Sequence, residues 1–75
     1  MTSGRRARGV SFTRALRAFR RLGFEVDHVE GSHYVLMNPD GRRVSLPRHR
    51  VVKPGLLLDL IKKSKLTWQQ FEENL

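Results

Sequence analysis

Three histidines and a large excess of arginine are the groups in this chain that could do chemistry. Histidine alone has an unperturbed pKa that lets it give and take protons near neutrality. His33 follows Gly31 and Ser32 and opens the apolar run Tyr34-Val35-Leu36-Met37. A Gly-Ser corner sets such a ring at an accessible turn, lets a backbone approach a phosphate, and offers a hydroxyl donor. The same residues would also make a plain turn before a strand. His49 lies between Arg48 and Arg50, where it could act as a complementary acid, bind a phosphate, or simply be solvated. His28 has Asp27 and Glu30 as neighbours and reads as structural. Imidazole among arginines points to proton transfer on a phosphate backbone.

Cofactors and metals are not expected. The histidine spacings of five and sixteen residues match no familiar ligand pattern, and there is no cysteine to add a thiolate. Absence of cysteine also excludes a disulfide framework and fits a reducing compartment.

The positive charge that would hold a phosphate chain is uneven. Lys and Arg number 15 against 7 Asp and Glu, a formal net charge of +8, which speaks about partners rather than fold. Nucleic acid is the expected partner. Arg14, Arg17 and Arg21 recur on one side of a helical pattern, and Arg48, Arg50 and Lys53 cluster later. These are the expected phosphate contacts, which confer affinity without sequence information. Between them, Glu25, Asp27, Glu30 and Asp40 fall in a stretch with no Lys or Arg.

The elements that must position these groups follow from periodicity. Ser11 is placed to cap a helix running to about Leu22, with Phe12, Ala15, Leu16, Phe19 and Leu22 on one face and Gly23 at its stop. Phe24 and Val26 then alternate with Glu25 and Asp27 as in a half-buried strand. Residues 33–37 and 43–46 read as two further strands, joined by the turn Asn38-Pro39-Asp40-Gly41 and closed by Pro47. Residues 48–53 read as a basic loop. Pro54 suits the first turn of a helix carrying Leu57, Leu60 and Ile61, with Lys62, Lys63 and Lys65 at its end. Thr67 and Gln70 form a capping-box pattern for a last short helix with Trp68 and Phe71. The expected order is α-β-β-β-α plus an extra helix: a two-layer α+β fold with helices on one sheet face. Residues 1–9 are expected to be a mobile basic arm and residues 10–75 one domain. Phe12, Leu16, Phe19, Leu57, Leu60, Ile61 and Trp68 are its expected core. Tyr34 fits either the core or a base-stacking role.

No apolar run approaches the roughly 18 residues of a membrane span, and the N-terminus lacks a signal-peptide apolar region. A cytoplasmic protein without membrane association is expected.

The ordered set Leu22-Gly23-Phe24, Gly31-Ser32-His33-Tyr34, Asn38-Pro39-Asp40-Gly41-Arg42-Arg43, Pro47-Arg48-His49, Lys53-Pro54-Gly55 and Leu66-Thr67 resembles the HicA family of toxins. The resemblance covers about residues 11–72. It implies a fold like a double-stranded-RNA-binding domain and a messenger-RNA interferase, an endoribonuclease whose catalytic residue is the histidine matched by His33. It also implies a HicB-type antitoxin as partner. The family is often basic or polar at Val29-Glu30, whereas Glu30 is an acid. Two other functions fit the composition: a non-catalytic RNA-binding module, and a basic subunit docking on an acidic protein.

Overall fold

A computed structural model describes residues 8–75; Arg5 and Arg6 of the expected arm lie outside them. The elements in chain order are β1 (Val10–Ser11), α1 (Phe12–Arg21), β2 (Glu25–Glu30), β3 (His33–Met37), β4 (Arg43–Pro47), β5 (Val51–Val52), α2 (Pro54–Lys63) and α3 (Trp68–Glu73).

Local chemistry sets the ends of α1. The Ser11 hydroxyl accepts the Arg14 N–H at 3.2 Å, satisfying one of the donors that a helix start leaves free. At the other end Gly23 takes φ +100°. The Phe24 N–H reaches back to the Phe19 carbonyl and the Gly23 N–H to that of Arg20. This is the Schellman closure, with the Phe19 and Phe24 rings in edge contact at 5.7 Å as its apolar partner. Chain reversal and core packing are thus made by the same residues.

The three strands β2, β3 and β4 form an antiparallel sheet in that order. Gly31, at φ +58°, holds the first central position of the two-residue β2–β3 turn, a position that disfavours any side chain with a Cβ. Between β3 and β4, the Gly41 N–H bonds the Asn38 carbonyl and the Asn38 side chain accepts the Arg42 N–H at 2.8 Å. Both turns sit where Gly, Pro and Asn placed them.

Register assigns the faces. Leu36 pairs with Val44, and Tyr34 with Leu46. These four face the helices, with Leu36, Val44 and Leu46 in the core beside Phe19, Phe24, Phe71 and Leu57. His33, Val35 and Met37 take the other face, which no helix of the described residues covers. Val35 is nonetheless 4% exposed, flanked in register by His28 and Ser45. Of the expected core, Phe19, Leu57, Leu60 and Ile61 are buried, while Phe12, Leu16 and Trp68 are half-buried at its margin. The architecture is the expected α+β one, with an antiparallel three-stranded sheet.

One segment departs from expectation. Within the supposed loop 48–53, Val51 and Val52 form β5 and pair with β1 through Val10↔Val52 and Ser11↔Val51. Val10 and Val52 are buried, so the ladder is held by core packing. A two-residue strand has no period to read, which is why the spacing of residue types missed it.

The last two helices close the layer. Pro54 occupies the first turn of α2. The helix ends in another Schellman pattern, with the Leu66 N–H on the Ile61 carbonyl, but here Lys65 rather than glycine takes the positive φ of 64°. In α3 the capping box forms as expected: the Gln70 N–H bonds the Thr67 hydroxyl at 3.1 Å and the Thr67 N–H bonds the Gln70 side chain at 2.9 Å.

Candidate functional site

His33 is exposed at the first position of β3. In register it stands between Glu30 of β2 and Pro47 of β4. The chain leaving β4 is tied to the turn that precedes His33, because the Arg48 N–H donates to the Ser32 carbonyl at 2.7 Å. The His49 N–H then folds back onto the Pro47 carbonyl at 2.8 Å. Gly31, Ser32, His33, Arg48, His49 and Arg50 are therefore gathered at one corner of the sheet, and all six are exposed. Lys53, also exposed, follows beyond β5 at the start of α2.

Arg14, Arg17 and Arg21 are exposed on α1, in the layer behind the sheet from the His33 face. The Phe12 ring meets the Tyr34 ring edge-on at 4.8 Å, so the first turn of α1 lies at the His33 end of β3. The last turn lies by the start of β2, where Arg20 pairs with Glu25 at 3.5 Å and Arg21 Nη1 donates to the Asn74 carbonyl at 3.5 Å. Between these ends Thr13, Leu16, Arg17, Arg20 and Arg21 line a shallow cleft. The two groups of arginines thus occupy different layers, and only the 48–50 group borders His33. Tyr34 is half-buried against Phe12, on the side away from the His33 ring.

β2 holds the feature that the residue pattern did not reveal. Simple alternation from Phe24 and Val26 would turn His28 toward the helices. Instead the register shifts between Val26 and His28, leaving Asp27 as the extra residue of a β-bulge, a device that re-aims side chains. Val26 and Val29 then share the helix side, 37% and 51% exposed at the sheet edge. His28 and Glu30 join the His33 face. Asp27 Oδ2 lies 2.7 Å from His28 Nδ1, and Glu30 Oε2 lies 3.4 Å from His28 Nε2. The Asp27 hydrogen bond, helped by Glu30 and opposed by partial desolvation, raises the His28 pKa above its usual 6.5. Reading His28 as a strand histidine with acidic neighbours agrees with these contacts; its presence on the His33 face was not visible. Among the described residues no group of three or more His, Cys, Asp or Glu side chains is arranged to hold a metal; Asp27, His28 and Glu30 form a hydrogen-bonded chain rather than a ligand set. Among the same residues no helix is long and apolar enough to cross a membrane.

The corner therefore offers an exposed imidazole, a backbone-tied arginine at position 48 with Arg50 two residues on, a second imidazole at position 49 and a carboxylate at position 30. That set can move protons beside a bound anion. No curated protein matches the chain. A family model described as the HicA toxin of bacterial toxin–antitoxin systems matches residues 12–66, a span running from the start of α1 past α2 that contains the whole three-stranded sheet and the His33 corner. The chain belongs to the HicA toxin family.

Proposed function

We propose that this chain is the toxin of a toxin–antitoxin pair and acts in the cytoplasm as a metal-independent endoribonuclease on messenger RNA. The observation that carries the reading is the exposed His33 imidazole in a corner that the Arg48 N–H to Ser32 carbonyl bond joins to the basic segment 48–50. The ribose 2′-hydroxyl attacks the adjacent phosphorus, the bond from phosphorus to the 5′-oxygen breaks, and a 2′,3′-cyclic phosphate remains. His33 transfers a proton in that step, a contribution of about 10²–10⁴-fold in rate. Arg48, His49, Arg50 and Lys53, with the Gly31-Ser32 backbone, hold the phosphates around the cut. Arg14, Arg17 and Arg21 hold the strand farther along. An antitoxin of the HicB type silences the enzyme by covering the His33 face.

The test is cleavage of RNA in EDTA. Wild-type protein is expected to release fragments ending in 2′,3′-cyclic phosphate, and His33→Ala to release none while keeping salt-dependent RNA binding. A wild-type protein that binds RNA and never cuts it would make the chain a binding module instead.

A further inference from the structure

Cleavage by a 2′-hydroxyl needs two proton transfers in one displacement. One group takes the hydroxyl proton and another protonates the leaving 5′-oxygen. A single imidazole cannot be both at once. The groups facing His33 from each neighbouring element are therefore the ones to weigh. From β4 the directly opposed residue is Pro47, which transfers no proton, with Ser45 and Arg43 farther along the same face. The loop after β4 supplies Arg48, His49 and Arg50. From β2 the directly opposed residue is Glu30, with His28 and Glu25 behind it.

We propose that Glu30 is the second proton-transfer group of this site, the base that complements His33 as acid, and that His28 is a positioning residue holding the Glu30 carboxylate. The inference rests on the endoribonuclease reading above. Its geometry comes from the hairpin. Residues directly opposed across an antiparallel pair have Cβ atoms about 5 Å apart, and the two-residue turn makes Glu30 and His33 such a pair. Left alone, a carboxylate and an imidazolium that close would meet as an ion pair and leave no room for a phosphate. Here the Glu30 carboxylate turns back along β2 to His28 Nε2, 3.4 Å away, and His28 is itself anchored through Nδ1 to Asp27 at 2.7 Å. His28 and Glu30, two residues apart in the regular part of β2, share a face, and the bulge takes Asp27 out of the alternation, so that its carboxylate lies beside His28 rather than on the helix side. The Glu30 side chain remains 73% exposed, open to substrate.

The step balances as follows. Glu30 takes the proton from the 2′-hydroxyl as that oxygen bonds to phosphorus. The bond from phosphorus to the 5′-oxygen breaks with its electron pair, and the 5′-oxygen takes the proton of the His33 imidazolium. The products are a 2′,3′-cyclic phosphate and a 5′-hydroxyl, with Glu30 protonated and His33 neutral; solvent returns the proton from one to the other. An acid in place of a basic residue at position 30 thereby becomes part of the chemistry rather than a mere repulsion of RNA.

The experiment compares wild type, His33→Ala, Glu30→Gln, His28→Asn and His49→Ala on one RNA oligonucleotide in EDTA, recording kcat, KM and pH profiles. All four positions are exposed or half-buried, and circular dichroism checks that each variant is folded. Glu30→Gln is expected to lower kcat by about 10²–10⁴-fold without raising KM, and to remove the acid limb of the pH profile. His28→Asn, which leaves the Glu30 carboxylate without its anchor, is expected to lower kcat by less than Glu30→Gln does, with KM unchanged. A Glu30→Gln protein that cuts as fast as wild type or faster would overturn the proposal, showing the acid only repels substrate. So would a loss confined to His33→Ala and His49→Ala, which would give the second transfer to His49. Wild type inert toward RNA would overturn the nuclease reading itself, and this inference with it.

Discussion

The two strands flanking His33 carry opposite charge. On the β2 side stand Glu25, Asp27 and Glu30 with no Lys or Arg; on the β4 side Arg42, Arg43, Arg48 and Arg50 surround the ladder. β2 is also an edge strand of the sheet, blunted by a bulge and by its acids in the way natural edge strands avoid pairing with other chains. The contrast teaches how a polyanion would meet the imidazole. On the proposed reading it would be held from the β4 side and repelled along β2, with the scissile phosphate between a cationic wall on one flank and a carboxylate on the other. That reading divides proton transfer and phosphate binding between the two flanks, which β3 and the Arg48 N–H to Ser32 carbonyl bond join.

The largest effect that would break this asymmetry is a charge reversal on the basic flank. Arg48→Glu with Arg50→Glu should weaken RNA binding by about 10–100-fold, roughly 1.4–2.7 kcal/mol. It should also flatten the dependence of log K on log salt by about 1.4, the value for two lost single-strand phosphate contacts. A titration at several salt concentrations measures both. An unchanged slope would show that RNA does not lie on the β4 side.

Next in size is the turn that holds the two flanks in register. Gly31 sits at φ +58° with no atom within 4 Å of an added Cβ, so Gly31→Ala introduces conformational strain without a clash. A left-handed conformation costs a residue with a Cβ about 1–2 kcal/mol, and a domain of this size loses roughly 4–8 °C of melting temperature per kcal/mol. Calorimetry should show a fall within that range. A melting temperature equal to wild type would mean the turn is not pinned as described.

The smallest effect concerns the acidic flank alone. Because the His28 pKa is raised in the folded chain, folding takes up proton affinity there. The resulting stabilisation is present below the ordinary histidine pKa of about 6.5 and is lost as pH rises through the higher folded value. An NMR titration should find the His28 midpoint above 6.5, and Asp27→Asn should bring it down, since the Asp27 hydrogen bond is the largest cause. A midpoint insensitive to Asp27 would break the chain from Asp27 to Glu30.

How much of this was readable beforehand differs by residue. The cap at Ser11, the stop at Gly23, the Asn38-Pro39-Asp40-Gly41 turn and the Thr67/Gln70 box all formed where their side chains required. Each is a local hydrogen-bond or φ requirement that involves only neighbours in sequence. The Lys65 stop escaped notice because the usual glycine is replaced by a residue that pays strain there. His33 stood out by residue type, but its sheet face did not, since Tyr34-Val35-Leu36-Met37 is apolar at every position.

By itself, then, the order of residues determined the three helices, the three strands of the main sheet and the turns between them, because these follow from interactions spanning only a few positions. Tertiary structure alone decided which face His33 shares and with whom. One bulged residue at Asp27 reverses the alternation of β2, the Arg48 bond to Ser32 carries the basic segment to the corner, and the Val10–Val52 pairing ties the start of α1 to the chain before α2. Such choices depend on register and packing between segments far apart in the chain, whose cost and gain no single stretch of residues contains.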